Sequence, residues 1–313
     1  MRRSRRSRER SNCRSSVPGC RLPGPGCRPP VTGHPSHDLP KESPRTILFQ
    51  FVIFPLGIVA IGVGVFLLFG LLASEKSSIP DYLNEIRSGS AHERGHAAYQ
   101  LSRSINRGEA KKYPNLEQQV ATIYTQSKND DPRIRRYLAL VLGKLGDQRA
   151  TPTLIEGLKD SDAESRLYAI VALGELHDRG AVANIVETTR DDDKDVRKTA
   201  AFALGSIGDP GAVPALAALL EDPAPDVRFN AAIALSRFGD KRAVNTLHDM
   251  LDRQRLAAAH MREDQAEDAM IMAMEPYAKL AGHDAVPDLQ RLATTDASLR
   301  VRDAAKQALQ QVH

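Results

Sequence analysis

Two histidines and one glutamate have the types and spacing that could do chemistry. They lie in the segment His92-Glu93-Arg94-Gly95-His96, an H-E-x-x-H motif. On a helix, histidines four positions apart share one face and can bind zinc, while the glutamate activates a water molecule. The motif therefore keeps open an alternative, a metalloprotein or hydrolase that uses His92, Glu93 and His96.

Three features favour a solvated helix at this position instead. Arg94 is charged and separates the two histidines, where zinc proteases of this type usually have uncharged residues. The helix also fits the register of the repeats described below, and no segment resembles the β-sheet half of such an enzyme. A third ligand could only be guessed at, as Glu109 or Glu117. We therefore predict no catalytic residue, no bound metal and no other cofactor.

Two further groups of metal-binding residue types are interpreted as having no metal-binding role. They are Cys13, Cys20 and Cys27 with His34 and His37 behind them, and Met270, Met272 and Met274. The cysteines lack the C-x-x-C spacing of a zinc knuckle, so they are interpreted as free thiols. The methionines suggest copper, but positions two apart point to different faces of a helix, and methionine commonly fills irregular gaps in a core.

The chain is organised around residues 131–252, where one pattern occurs four times at a spacing of 31 residues. A fixed period in this range indicates stacked structural units. One arginine and one aspartate recur in every copy. They are Arg135, Arg166, Arg197 and Arg228, and Asp147, Asp178, Asp209 and Asp240.

Each copy predicts two helices. In three copies the first helix opens at an aspartate, which suits the free N–H groups and the dipole of a first turn. In three copies it ends at a glycine, which tolerates the left-handed conformation. These residues are Asp131, Asp162 and Asp193, and Gly146, Gly208 and Gly239. A two-helix unit of this size cannot bury its apolar faces alone and must stack on its neighbours.

Three segments of the third copy are the most informative about the family: Asp195-Val196-Arg197, Ala200 to Gly205 and Ile207 to Leu216. These segments resemble HEAT repeats of the short kind named after the phycobilisome lyases. The resemblance implies an all-α fold, an α-α superhelix of about six helical hairpins. It also implies a protein-binding scaffold, although the family includes bilin lyases and a di-iron hydroxylase that uses several His-Glu pairs. This chain has one such pair, His92-Glu93.

The repeated arginines and aspartates are predicted to form a structural ladder. An arginine at the start of each first helix can bond carbonyls and carboxylates of a neighbouring unit while its stem covers apolar surface. The predicted binding surface lies elsewhere, on the second helices, which by resemblance to HEAT proteins line the concave side. Its residues are Thr153, Glu156, Asn184, Glu187, Leu219, Thr246, Asp249 and Met250. Acids mixed with small apolar groups suit a basic or amphipathic partner segment.

The repeat domain is predicted to span residues 91–313. Residues 91–127 are predicted to form a degenerate first unit, as expected of a terminal repeat. The fifth unit carries an insertion around Asp252 to Asp264, and Leu299 to Val312 is predicted to close the stack as a single helix.

The N-terminal part divides into three segments. Residues 1–46 are rich in arginine, serine, proline and glycine and are predicted to be disordered. Residues 47–73 are predicted to form a transmembrane helix, because residues 51–73 contain no charged side chain and about 20 apolar residues span a bilayer. Residues 74–90 are predicted to be a polar linker, in which Pro80 is interpreted as a loop signal. Gly57, Ala60 and Gly64 fall on one face of the apolar helix and suggest a weak homodimer.

Charge determines the predicted orientation and excludes one class of partner. Residues 1–46 carry eleven basic and three acidic residues, a net charge of +8, and residues 74–313 carry 32 basic and 36 acidic residues, a net charge of −4. A basic N-terminus belongs in the cytoplasm, so the repeat domain is predicted to be extracytoplasmic, in the periplasm. A mildly acidic repeat domain argues against nucleic-acid binding.

Overall fold

The structure, a computed structural model, describes residues 49, 53–73, 78–106, 108 and 112–312, with the backbone alone for residues 69–73. Contacts divide the chain into two units, Met1–Glu75 and Lys76–His313, and each is described by itself. The predicted disordered tail of residues 1–46, with its three cysteines, lies outside the described residues. Ile47 and Glu109 lie outside them as well.

In the part of the first unit that the structure describes, residues 54–73 form the helix α1 (Phe54–Ala73). Its described side chains run from Phe54 to Leu68 and include large apolar groups that are exposed, such as Ile61 and Phe66. Among the residues that the structure describes, no helix has both the length and the apolar character needed to cross a membrane. The transmembrane helix and the homodimer through Gly57, Ala60 and Gly64 stay predictions.

The second unit is all helical over the residues described. Its helices are α2 (Ile79–Ser88), α3 (Ala91–Ser104), α4 (Leu116–Gln126), α5 (Pro132–Leu145), α6 (Thr151–Gly157), α7 (Ala163–Leu176), α8 (Val182–Thr188), α9 (Lys194–Ile207), α10 (Val213–Ala218), α11 (Pro225–Arg237), α12 (Val244–Asp249), α13 (Arg253–Ala258), α14 (Glu263–Ala281), α15 (Val286–Thr295) and α16 (Leu299–Leu309).

The helices form two layers. The first helices of successive units, α3, α5, α7, α9, α11, α14 and α16, pack against one another. The second helices lie beside them, and α4, α6 and α8 each contact the short 3₁₀ turn that precedes the next second helix, as α6 contacts Arg179–Ala181. Between the layers is the core, in which Leu142, Leu173, Leu204 and Leu235 are completely buried. The predicted solenoid of helical hairpins is confirmed.

The helix ends follow the local rules. Asp162 accepts a hydrogen bond from the Ser165 amide, and Asp193 accepts bonds from the amides of Asp195 and Val196, so both cap their helices. Gly208 closes α9 with φ +72°, a left-handed conformation that costs glycine little.

Glycines also set the spacing of the first helices. A Cβ atom on Gly205 would lie 2.7 Å from the Cβ of Ala234, and one on Gly174 would lie 3.2 Å from the Cβ of Ala203. Each pair joins neighbouring first helices, so the backbones approach closely only because one residue of each pair has no side chain.

The predicted linker of residues 74–90 is wrong for residues 79–88, which form α2. Ile79, Leu83 and Ile86 make a buried apolar stripe that packs on α3. Pro80, interpreted from sequence as a loop signal, lies in the first turn, where proline is tolerated. The predicted insertion near residues 252–264 contains α13.

Candidate functional site

The polar positions of the second helices form the candidate binding surface, which we call the second-helix face. It consists of Thr153, Glu156, Asn184, Glu187, Thr246 and Asp249. Glu156 and Glu187 are exposed and the other four are half-buried. All six lie between buried apolar positions of α6, α8 and α12, so the stacking of the units brings them onto one layer of the solenoid.

Two residues predicted for this surface are not on it. Leu219 is 6% exposed and Met250 is 2% exposed, and both belong to the core. The second helices end in a tight turn, as in the 3₁₀ turn Leu219–Glu221 after α10. Leu219 follows the buried Leu216 by three residues, and Met250 follows the buried Leu247 by three, so each pair shares the inward side of its helix.

The three acids of the second-helix face have different surroundings. Glu156 accepts a bond from Lys159 at 3.2 Å in an exposed pair. Asp249 pairs with Arg255 of α13 at 2.6 Å, so the insertion reaches this surface. Glu187 is exposed and makes no ion pair among the described residues.

The arginine column joins neighbouring units through a column of acids that sequence analysis did not single out. Arg166 donates from Nε and Nη2 to the Asp191 carboxylate at 2.8 and 2.7 Å. Arg197 donates in the same way to Asp222 at 2.7 and 3.0 Å. Arg135 donates to Asp160. Asp160, Asp191 and Asp222 recur at the same 31-residue spacing, and this spacing could have identified them from the sequence.

The same arginines also bind the preceding loop. Nη1 of Arg197 donates to the carbonyl of Asp191 at 2.8 Å, and Nη1 of Arg228 donates to the carbonyl of Asp222 at 2.7 Å. Burial by itself would raise the pKa of Asp222, but hydrogen bonds from Arg197 and from the Ala224 amide outweigh it, and the pKa lies below its usual value. The pKa of Asp191 is lowered as well, against the effect of burial, by hydrogen bonds from Arg166 and the Asp193 amide. Asp191 and Asp222 therefore stay ionised, and each holds one arginine through its carboxylate and the next through its carbonyl.

The predicted aspartate column is placed differently from the arginines. Its members accept bonds from main-chain amides two residues on, namely those of Arg149, Gly180, Gly211 and Arg242, at 2.8 to 3.0 Å. Asp147, Asp178, Asp209 and Asp240 thus cap the 3₁₀ turns that begin the second helices.

The terminal units have equivalent ion pairs, made by arginines and aspartates that do not follow the 31-residue spacing. In the first unit Arg94 donates to the carbonyl of Ile86 at 2.7 Å and to Asp130 at 2.6 Å. At the other end, Arg253 of the insertion donates to Asp296 at 3.0 and 2.7 Å. The insertion therefore supplies the guanidinium that the first helix of the fifth unit lacks.

Of the H-E-x-x-H residues, Glu93 is engaged in capping its own helix. His92 and His96 are exposed on α3, and Glu93 accepts a bond from the Ser90 amide at 2.8 Å, completing a capping box. That bond lowers the pKa of Glu93. Among the residues described, no group of three potential ligands is arranged for a metal ion. Nor do the methionines converge, since Met270 and Met274 are buried and Met272 is exposed.

Stacked helical hairpins joined by an arginine–aspartate ladder define an all-helical solenoid of HEAT- or armadillo-like repeats. Consistent with this, the family model described as HEAT repeats matches residues 120–192 and 182–262. A comparison with curated proteins gives no match.

Solved structures of similar fold come from varied proteins. YibA of E. coli is 17% identical with a TM-score of 0.53, covering 77% of this chain and 83% of that chain. The complex of CpcE and CpcF of phycocyanin lyase from Nostoc sp. PCC7120 is 20% identical, with a TM-score of 0.49 and coverages of 75% and 89%. A designed armadillo repeat protein in complex with the peptide (KR)4 is 16% identical, with a TM-score of 0.40 and coverages of 76% and 100%. At these identities the likeness concerns the fold alone.

Proposed function

We propose that this protein is a membrane-anchored, non-enzymatic scaffold whose repeat unit binds another protein on the second-helix face. The observation that carries the proposal is the second-helix layer itself. The first helices cover one side of it, while the six polar residues of the second-helix face are exposed or half-buried on α6, α8 and α12. Repeat solenoids typically use such an extended surface to bind partners.

The chemistry of this face favours a basic or amphipathic partner segment. Glu187 is an exposed acid without an ion pair among the described residues, and Glu156 holds only the exposed Lys159. Surface pairs of this kind contribute little, so a partner's cation can replace them at small cost.

The proposed anchor is the segment of residues 47–73, and two observations support it. From residue 51 to residue 73 the sequence has no charged side chain. Within it, α1 is helical and its described apolar side chains are exposed, Phe66 to 76%. Exposed apolar groups of this size are costly in water and favourable in lipid. We propose that the basic N-terminus is cytoplasmic and the repeat unit extracytoplasmic.

Reversing the charge of the second-helix face should abolish partner capture. In the triple variant Glu156→Lys, Glu187→Lys and Asp249→Lys, a basic partner segment meets repulsion where it met attraction. Quantitative mass spectrometry of proteins cross-linked to the full chain in native membranes should show at least a tenfold loss of the specific partner, a loss of about 1.4 kcal/mol or more.

A matched control places the same change of charge on the first helices. Glu164→Lys, Glu275→Lys and Asp303→Lys alter acids that are more than half exposed on α7, α14 and α16. This variant should capture the partner as the wild type does. Equal capture by all three proteins would contradict the binding surface, and equal loss in both variants would show that net charge alone matters.

The proposed orientation can be tested with the native cysteines, which all lie in residues 13–27. In spheroplasts, a membrane-impermeant maleimide should leave the wild-type chain unlabelled until lysis. It should label the variant Lys306→Cys, at an exposed position of α16, without lysis. Labelling of the wild type in intact spheroplasts would contradict the orientation. Release of the chain by alkaline carbonate would contradict the anchor.

A further inference from the structure

The strongest unused feature is Glu117, near the start of α4. It is 9% exposed, yet the one ion pair it makes in the described part of the chain is to Arg149 at 3.9 Å, and no hydrogen bond reaches its carboxylate there. Arg149 is itself held by Asp147, to which it donates at 3.0 and 2.5 Å. Glu117 is thus a largely buried carboxylate to which no group in the described part of the chain donates a hydrogen bond, and burial without such a donor disfavours the ionised form.

Comparison of the units shows that the carboxylate is not needed for stacking. Glu117 lies three residues before the buried Val120 of its helix. The equivalent residues, each three before a buried apolar residue of its own second helix, are Thr151, Val182, Val213, Val244 and Val286. The stacked architecture therefore accepts an uncharged and usually apolar residue here, and the first unit alone has a charge.

Glu117 lines an open groove of about 430 Å³ between α4 and α6. The other lining residues are Gln118, Ala121, Thr122, Thr125, Arg149 and Thr153. Thr122 donates its hydroxyl hydrogen to the carbonyl of Gln118 at 2.8 Å, and Thr125 donates to the carbonyl of Ala121 at 3.0 Å. Their remaining capacity is to accept, so Glu117, Thr122 and Thr125 offer acceptors to the groove. The cation in the lining, Arg149, is already held by Asp147.

We propose that this groove is a seat for one lysine or arginine side chain of the partner segment, with Glu117 as the carboxylate that receives it. Guanidinium and ammonium groups only donate, and the groove supplies a carboxylate and hydroxyl acceptors. Arginine fits better, because its planar fork can bond a carboxylate with two parallel hydrogen bonds. The seat rests on the proposed function, since Thr153 belongs to both the groove and the second-helix face.

The electrostatics agree with this assignment. Burial raises the pKa of Glu117 above its ordinary value, the Asp147 carboxylate adds to the rise, and Arg149 opposes it. A bound cation would replace the water that the carboxylate has lost and stabilise its ionised form.

The experiment compares two probes on the full chain in detergent micelles. One is a fluorescent octapeptide of alternating arginine and alanine. The other is the same peptide with citrulline in place of each arginine, which keeps the shape of the side chain without its charge. Fluorescence polarisation should show the arginine peptide binding about tenfold more tightly to the wild type, the worth of one charge-assisted contact. Glu117→Gln should remove this preference, and Glu275→Gln, at an exposed acid on α14 outside the second-helix face, should retain it. A preference that survives in Glu117→Gln, or is absent in the wild type, would overturn the seat.

Thermal unfolding gives a second test, because a binding role and a structural role of Glu117 predict opposite changes in the melting temperature. Glu117→Val, which introduces the residue of the later units, should raise the melting temperature while it removes the preference for arginine. A lower melting temperature would show that Glu117 is structural. The two proposals fail separately, because partner capture unaffected by Glu117→Gln would refute the seat alone. An arginine preference without any captured partner would refute the scaffold function alone.

Discussion

Replacing Asp222 with alanine should lower the free energy of unfolding of the repeat unit by about 3 kcal/mol, the scale of breaking a buried ion pair by removing one partner. The side chain of Asp222 is 6% exposed and that of Arg197 is 14% exposed, so the arginine would be left without its fork acceptor in a mostly dry site. The Ala224 amide, which donates to Asp222 at 2.9 Å, would lose its acceptor as well. Urea unfolding of the full chain in micelles, followed by circular dichroism, would measure the loss.

The control for Asp222 is an exposed ion pair of the same type. Asp303→Ala removes the partner of Lys306 on α16, where both side chains are more than half exposed, and should cost no more than about 0.5 kcal/mol. In a double-mutant cycle, Arg197→Met should recover part of the stability that Asp222→Ala loses, because it removes the unpaired charge. If Asp222→Ala costs no more than Asp303→Ala, the ladder does not stabilise the stack.

Gly205→Ala should lower the free energy of unfolding by about 2 kcal/mol, as expected for overpacking. The added Cβ would lie 2.7 Å from the Cβ and 3.0 Å from the Cα of Ala234, so α9 and α11 would have to separate. The better helix propensity of alanine opposes this loss by only about 0.5–1 kcal/mol. The same urea titration would detect the change.

The same change of glycine to alanine at Gly95 should have the opposite effect on the free energy of unfolding. A Cβ on Gly95, inside α3, would meet nothing within 4 Å, so Gly95→Ala should raise the free energy of unfolding by about 0.5–1 kcal/mol. In the Gly205→Ala background, Ala234→Gly should restore part of the stability because it moves the missing Cβ to the other helix. Equal effects of the two glycine substitutions would contradict the close approach of the first helices.

Sequence patterns predicted the parts of this molecule that depend on near neighbours. The capping aspartates and the left-handed glycines act within one turn, so Asp193 and Gly208 could be assigned from their positions in the repeat. The linker prediction is wrong at residues 79–88, because Pro80 lies in the first turn of a helix whose buried stripe is Ile79, Leu83 and Ile86. Asp160, Asp191 and Asp222 were detectable as a repeated column. Each pairs with an arginine 25 residues earlier, and rules about near neighbours in the sequence cannot predict a pairing over that separation.

The sequence by itself determined the repeat, the pairing of helices within each unit and the need to stack, because a 31-residue period of apolar stripes allows no other burial. Only the tertiary structure decided which side chains remain available on the second helices. Leu219 and Met250 turn into the core while Glu187 stays outside, since the rotation of a short helix about its axis is set by packing. The same packing makes Glu117 a nearly buried carboxylate at the edge of a groove, a property that its place in the sequence does not reveal.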